Sequence, residues 1–253
     1  MNAGKHAGKK PALVLAIFAA ALIGLGGALG WSLRQPRLNV GLYAQNRLVA
    51  IQAHLDEAAA GYVLLAGDSQ AELQSPAARL CGAEIVNAGI SGAGTALYGE
   101  LFARLSIPHR PAAVVLTIGT NDLNRKHEPR MPAAAERFEA SLGRLVARLR
   151  AVSDVVVVTA LPPIGAGVAD RLDASAVADY SERIRRLCAR DGCLTADPYR
   201  ALRGGDAQGA DGLARPDALR DGLHLARYRP VLAALEPVLC AATASTTPHP
   251  RSD

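Results

Sequence analysis

Short apolar runs alternate with amphipathic stretches over residues 62–241, and this alternation leaves few folds open. Residues 62–66 (Tyr-Val-Leu-Leu-Ala), 84–87, 114–118 and 155–159 are too short for core helices and rich in β-branched side chains. Each reads as a buried strand, with 193–196 as a last one. Between them, 95–105, 133–151 and 174–190 carry helical spacing. In the second of these, Phe138, Leu142, Leu145, Val146 and Leu149 form one apolar face. A helix over 44–60, with Leu48, Ile51 and Leu55 on one side, precedes the first strand, and one over 226–241 closes the series. Strands alternating with helices predict a parallel sheet covered on both faces, an α/β chain in three layers.

The domain therefore spans 62–241, with a connector and first helix over 34–61 and a polar, proline-containing tail over 242–253. Half of the residues are apolar and 20% are charged, which suits a packed core. The net charge is +5, but Lys5, Lys9 and Lys10 supply much of it ahead of any folded region. No basic stripe interleaved with aromatics is present, so nucleic acid is not an expected partner.

Residues 1–33 read as a leader. Residues 12–33 hold no charge, and as a helix they would reach roughly 33 Å, enough to cross a bilayer's hydrocarbon core. The lysines before this run place the N-terminus in the cytoplasm and the body outside it. Two readings stand: an uncleaved anchor, favoured by the apolar length, or a signal peptide cleaved near Ala28-Leu29-Gly30. Both put the domain in an extracytoplasmic compartment, on the membrane or exported to the periplasm or exterior. The four cysteines fit either Cys188–Cys193 and Cys81–Cys240 bridges or four small buried side chains. No Cys-x-x-Cys pair is present, so no zinc or redox site is expected.

In a parallel sheet, ligands bind beyond the carboxyl ends of the strands. The chain places its chemistry there. Gly67-Asp68-Ser69 follows the first strand, Asn87-Ala88-Gly89-Ile90-Ser91-Gly92 the second, and Gly119-Thr120-Asn121-Asp122 the third. A serine nucleophile needs a base, a group to orient that base, and donors for an oxyanion. Ser69 sits at a strand-to-helix turn, where its own N–H can serve as a donor. Gly92 can bring a second N–H close, and Asn121 a side-chain amide. Asp221-Gly222-Leu223-His224 sets a carboxylate three residues before an imidazole, close enough in a turn to fix its tautomer.

These four blocks, in this order, resemble the SGNH or GDSL hydrolases over residues 62–240. The resemblance implies a flavodoxin-like α/β/α sandwich. It also implies hydrolysis of an ester or thioester through an acyl-serine, without metal or cofactor. By matching position, Ser69 is the expected nucleophile, His224 the base and Asp221 its partner. Ser69 N–H, Gly92 N–H and the Asn121 amide are the expected oxyanion hole, with Gly89 as fallback for Gly92. Gln70 stands where the family usually has Leu, and is expected to bear on the acyl pocket. After His224 the chain lacks the polar residue and glycine often found there.

Other residues compete for roles. Asp68 and Asp122 read as structural. His109 lies at the wrong end of the sheet, and His54 on the polar side of the first helix. His127 follows Asn121 near the right rim and is expected to line the substrate site. Asp211 mimics the fourth block but has no histidine three residues on. Residues 161–174 read either as a pocket wall or as a plain connection. The expected substrate is a short acyl ester, such as O-acetyl, on an envelope or extracellular glycan, with a lipid or thioester as rival. Acyl transfer by the same triad and a non-catalytic glycan-binding module on a stalk are the alternatives.

Overall fold

The computed structural model describes residues 20–21, 40–74, 79–204 and 212–246. Apart from the helical Ala20 and Ala21, the leader lies outside them, as do Ala28-Leu29-Gly30, Asp211 and the last seven residues of the tail. Among the described residues no helix is long and apolar enough to cross a membrane. The chain divides into two compact units, Met1–Tyr43 and Ala44–Asp253, and the second carries the sheet.

In chain order the strands are β1 (Val63–Gly67), β2 (Arg79–Leu80), β3 (Ala83–Gly89), β4 (Ala113–Thr117), β5 (Val156–Thr159) and β6 (Leu194–Ala196). The helices are α1 (Val40–Glu57), α2 (Ser69–Glu72), α3 (Thr95–Phe102), α4 (Pro132–Val152), α5 (Val177–Asp191) and α6 (Arg229–Thr246). The sheet order is β2-β3-β1-β4-β5-β6. Every pairing is parallel except β2 with β3, a two-residue antiparallel edge that strand periodicity does not reveal.

Alternation along the strands divides the core in two. Leu64, Ala66, Val114, Leu116, Val156 and Val158 face one cluster. There they meet Leu48, Ile51 and Leu55 of α1, Tyr98 of α3, Leu142 and Val146 of α4, and Ile184 and Leu187 of α5. Val63, Leu65, Val115 and Val157 face the other, covered by Val231, Leu232, Leu235 and Leu239 of α6. Burial of one such leucine contributes about 1.5–3 kcal/mol, so α6 is the main apolar cover of that face. Both faces are covered, and the three-layer α/β/α sandwich follows.

Several boundaries differ from expectation: α3 ends at Phe102 rather than 105, and α5 begins at Val177 rather than 174. Helix α1 begins at Val40, inside the expected connector. Helix α6 begins at Arg229 rather than 226 and runs to Thr246, so 242–246 are helical rather than a loose tail. Thr243 and Ser245 return their hydroxyls to the carbonyls of Leu239 and Ala241, which keeps these polar residues in the helix. All four cysteines are paired. Cys81–Cys240 ties the β2–β3 turn to α6 with Cα atoms 5.3 Å apart, and Cys188–Cys193 spans the end of α5 at 4.4 Å.

Candidate active site

The chain leaves β1 for β3 on one side and later crosses to β4 on the other. A sheet opens a crevice at such a reversal, beyond the strand ends. The register places Gly67 opposite both Gly89 and Thr117, so the three turns after β1, β3 and β4 begin at one level. These are the turns that carry Ser69, Gly92 and Asn121.

The Ser69 turn is held from below. Asp68 is fully buried, donates its N–H to Thr117 O at 3.0 Å, and accepts from Gln70 N at 2.9 Å, capping α2. Burial raises its carboxyl to about 7, the nearby Asp122 charge adding to the shift and hydrogen bonds from Gln70 and Thr120 opposing it. Ser69 is 6% exposed, and its N–H donates to no partner among the described residues.

The Gly92 turn hangs on α2. Asn87 donates to the Ala71 and Glu72 carbonyls at 2.9 and 3.0 Å and accepts from Gly89 N at 2.9 Å. Glu72 Oε2 accepts from both Ser91 N–H and Ser91 Oγ, at 2.6 and 2.7 Å. Arg47 of α1 donates to the carbonyls of Gly89 and Asn87, each at 2.9 Å. Gly92 has φ +80, a conformation that favours glycine, and its N–H has no partner among the described residues. The fallback Gly89 is unsuited, because its N–H is already donated to Asn87 Oδ1; the glycine there serves close packing, since a Cβ would lie 2.1 Å from Glu72 N. Asn121 donates to Ala93 O at 3.0 Å, which leaves its second amide hydrogen for a ligand. Asp122 accepts from Thr95 N and Oγ1 at 2.9 Å each and caps α3, with its pKa raised chiefly by burial.

The histidine arrives from irregular chain between β6 and α6. His224 Nε2 lies 2.9 Å from Ser69 Oγ, and His224 Nδ1 lies 2.7 Å from Asp221 Oδ2. Asp221 Oδ1 also accepts from Leu223 N at 3.0 Å and His224 N at 2.7 Å. Partial burial works against its charge, but the hydrogen bonds from the His224 side chain and from the His224 and Leu223 backbone prevail, holding its carboxyl at about 2. An ionised Asp221 therefore fixes the Nδ1–H tautomer and leaves Nε2 free to accept a proton.

Of the other residues singled out, Gln70, expected to bear on the acyl pocket, turns its side chain into the protein. It is fully buried, donating to Leu223 O at 2.7 Å and accepting from Tyr228 OH at 3.1 Å. His127 is exposed and lines a cavity of about 600 Å³ with Asp122, Lys126, Arg137, Phe138 and Tyr180. Neither Ser69 nor His224 lines that cavity. The 161–174 loop buttresses the histidine segment: Gly165 N donates to Gly222 O at 2.8 Å, and Ile164 bridges to Leu213. It supports the turn that precedes His224. Sequence reasoning missed Arg47, Glu72 and Gly165 as supports, since each acts on a distant turn and belongs to no motif. Among the described residues no group of His, Cys, Asp and Glu could hold a metal ion.

The sequence model of the GDSL-like lipase/acylhydrolase family matches residues 56–227. Among curated proteins, none matches. Solved structures share the fold. A GDSL-like lipase from Bacteroides thetaiotaomicron is 19% identical with a TM-score of 0.58, covering 81% of this chain and 98% of its own. The lipase/acylhydrolase from Enterococcus faecalis is 17% identical with a TM-score of 0.55, covering 76% and 100%. A variant of an acetyl xylan esterase from Geobacillus stearothermophilus is 17% identical with a TM-score of 0.50, covering 72% and 95%. The family match spans about two thirds of the chain and every turn of the site: this protein belongs to the GDSL-like lipase/acylhydrolase family and is an ester-hydrolysing enzyme.

Proposed function

We propose that the protein hydrolyses short acyl esters outside the cytoplasmic membrane, through an acyl-enzyme on Ser69. The observation that carries this reading is the hydrogen-bonded line Ser69 Oγ–His224–Asp221, at 2.9 and 2.7 Å, beside two unpartnered backbone N–H groups. His224 Nε2 takes the Ser69 proton as Oγ attacks the acyl carbon. Negative charge develops on the carbonyl oxygen and is met by Ser69 N–H, Gly92 N–H and the free hydrogen of the Asn121 amide. His224 then protonates the leaving alcohol as the C–O bond breaks. Water, deprotonated by the same imidazole, releases the acid and restores Ser69.

Two observations support the compartment. The uncharged run over 12–33 follows three lysines. Both cysteine pairs are bridged, as suits an oxidising environment. An O-acetyl group on an envelope or extracellular glycan is the substrate class that fits this location, and the fold is shared with an acetyl xylan esterase.

The test uses the full chain in mild detergent with p-nitrophenyl acetate, butyrate and octanoate. Wild type is expected to turn over acetate fastest and to carry a fluorophosphonate label on Ser69. Ser69→Ala should lose the label and about 10⁴-fold or more of kcat/KM. Turnover retained by a folded Ser69→Ala would sink the mechanism, and a preference for octanoate would sink the acetyl assignment.

A further inference from the structure

The segment that carries His224 has no regular secondary structure, yet a proton transfer over 2.9 Å needs the imidazole held in place. Most of its hydrogen bonds are internal. Arg220 N donates to His224 O at 2.9 Å, Ala226 N to Ala218 O at 2.9 Å, and Leu219 bridges Leu225. Such bonds shape the loop but do not aim it at Ser69. Aim requires a link between the loop and the nucleophile's own turn.

Gln70 supplies one. It follows the nucleophile directly, and its backbone N–H is held by Asp68 at 2.9 Å, so its Cα moves with Ser69. Its side chain is fully buried and both ends are used. Nε2 donates to Leu223 O at 2.7 Å, the carbonyl immediately before His224, and Oε1 accepts from Tyr228 OH at 3.1 Å. Tyr228 is 5% exposed, packs in the core cluster beneath α6, and sits just before that helix. One amide thus grips the chain on both sides of His224. A primary amide suits this task because it presents a donor and an acceptor at opposite corners of one rigid plane.

We propose that Gln70 is a positioning residue, holding the Leu223–Tyr228 segment so that His224 Nε2 stays on Ser69 Oγ. Its amide bonds to Leu223 O and Tyr228 OH rather than to Ser69 Oγ or the His224 ring. The assignment rests on Ser69 and His224 being nucleophile and base.

The test replaces Gln70 by Met, which keeps the volume and removes the amide, and Tyr228 by Phe, which removes only the hydroxyl. Gln70→Met is expected to lower kcat about 10- to 100-fold with KM within about two-fold, as a misaimed base should. Tyr228→Phe should cost less. The double variant should lose no more than Gln70→Met alone, because Tyr228 acts through the amide. Amide exchange at Leu223 and His224, read by mass spectrometry on the uninhibited protein, should quicken about ten-fold in Gln70→Met while exchange in β1 and β4 stays unchanged. A folded Gln70→Met with wild-type kcat, or with unaltered exchange at these amides, overturns the proposal. If Gln70→Met does not fold, Tyr228→Phe decides: a fall in kcat at constant KM supports the proposal, and a wild-type kcat overturns it. Ser69→Ala run in parallel separates the two readings. Turnover that survives it sinks the triad, and the exchange measurement alone then decides whether Gln70 holds the loop.

Discussion

The site has two halves built in different ways. Ser69, Gly92 and Asn121 follow three adjacent parallel strands paired in register, of which β1 and β4 are buried along their whole length. Their relative positions start from the strand spacing of about 4.8 Å, and several bonds at once, from Asn87, Glu72 and Arg47, hold the Gly92 turn. Asp221 and His224 stand on a stretch of bends between β6 and α6. That stretch is held by single contacts: Gln70 at Leu223, Gly165 at Gly222, and an Arg220 side chain that donates to Leu225 O at 2.9 Å. A regular rim tolerates the loss of one side chain, whereas a strapped loop has its aim concentrated in a few. This contrast orders the expected damage of substitutions in each half.

The largest effect beyond Ser69 itself belongs to the loop. Asp221→Asn keeps an oxygen to accept from the Leu223 and His224 amides, so the turn survives. It removes the charge at Nδ1 and sets a donor against a donor. The expected loss in kcat is about 10²- to 10⁴-fold with the melting temperature little changed. A loss below ten-fold would mean that the carboxylate only shapes the turn. In the rim, Asn121→Ala removes one oxyanion donor, with about a 10²-fold fall in kcat expected and KM nearly constant. If KM rises instead, Asn121 binds substrate rather than the developing charge.

Next comes a purely steric change. Gly165 has φ −76, so alanine meets no conformational barrier there, but its Cβ would lie 2.7 Å from the Gly222 backbone. Gly165→Ala must displace the Asp221–His224 turn, and about a ten-fold loss in kcat is expected. Gly167, two residues on, has nothing within 4 Å of an added Cβ, and Gly167→Ala should behave as wild type. Equal behaviour of the two variants would show that the loop behind the histidine is not a buttress.

The same contrast explains what was legible in the sequence. Runs such as 155–159 declare themselves because a parallel strand is buried on both faces and so reads as continuous valine. From the strands the three turns follow, and with them the rim. The edge strand Arg79–Leu80 does not declare itself, being two residues long with one side exposed. Residues 242–246 look like a tail because threonine and serine are poor helix formers, yet the Cys81–Cys240 bridge anchors the helix just before them and their hydroxyls bond back to it. In the loop only the Asp-x-x-His spacing shows. Gln70 looks like a pocket residue by its place beside Ser69, and nothing in one sequence tells that its amide turns inward to residues more than 150 positions away.

The two halves also hold two aspartates with opposite shifts, and this predicts the smallest effect, on stability rather than rate. Asp221 is half-exposed and is lowered to about 2, where an unfolded chain would titrate near 3.8. Its ionised form favours the native state above pH 4, and that contribution is lost as pH falls through 2. Asp68 is fully buried and raised to about 7. Between pH 4 and 7 the unfolded chain releases this proton while the native protein keeps it, so native stability declines across that window and levels above it. Asp68→Asn keeps an oxygen to cap Gln70 N and has no charge to bury, so it should remove the decline. Urea midpoints measured from pH 2 to 8 should fall between pH 4 and 7 in wild type and stay flatter there in Asp68→Asn. Asp221→Asn should instead differ from wild type most in the rise between pH 2 and 4. Parallel wild-type and Asp68→Asn curves would mean that the rim holds its buried aspartate ionised at low cost, and that the two halves differ in geometry but not in electrostatics.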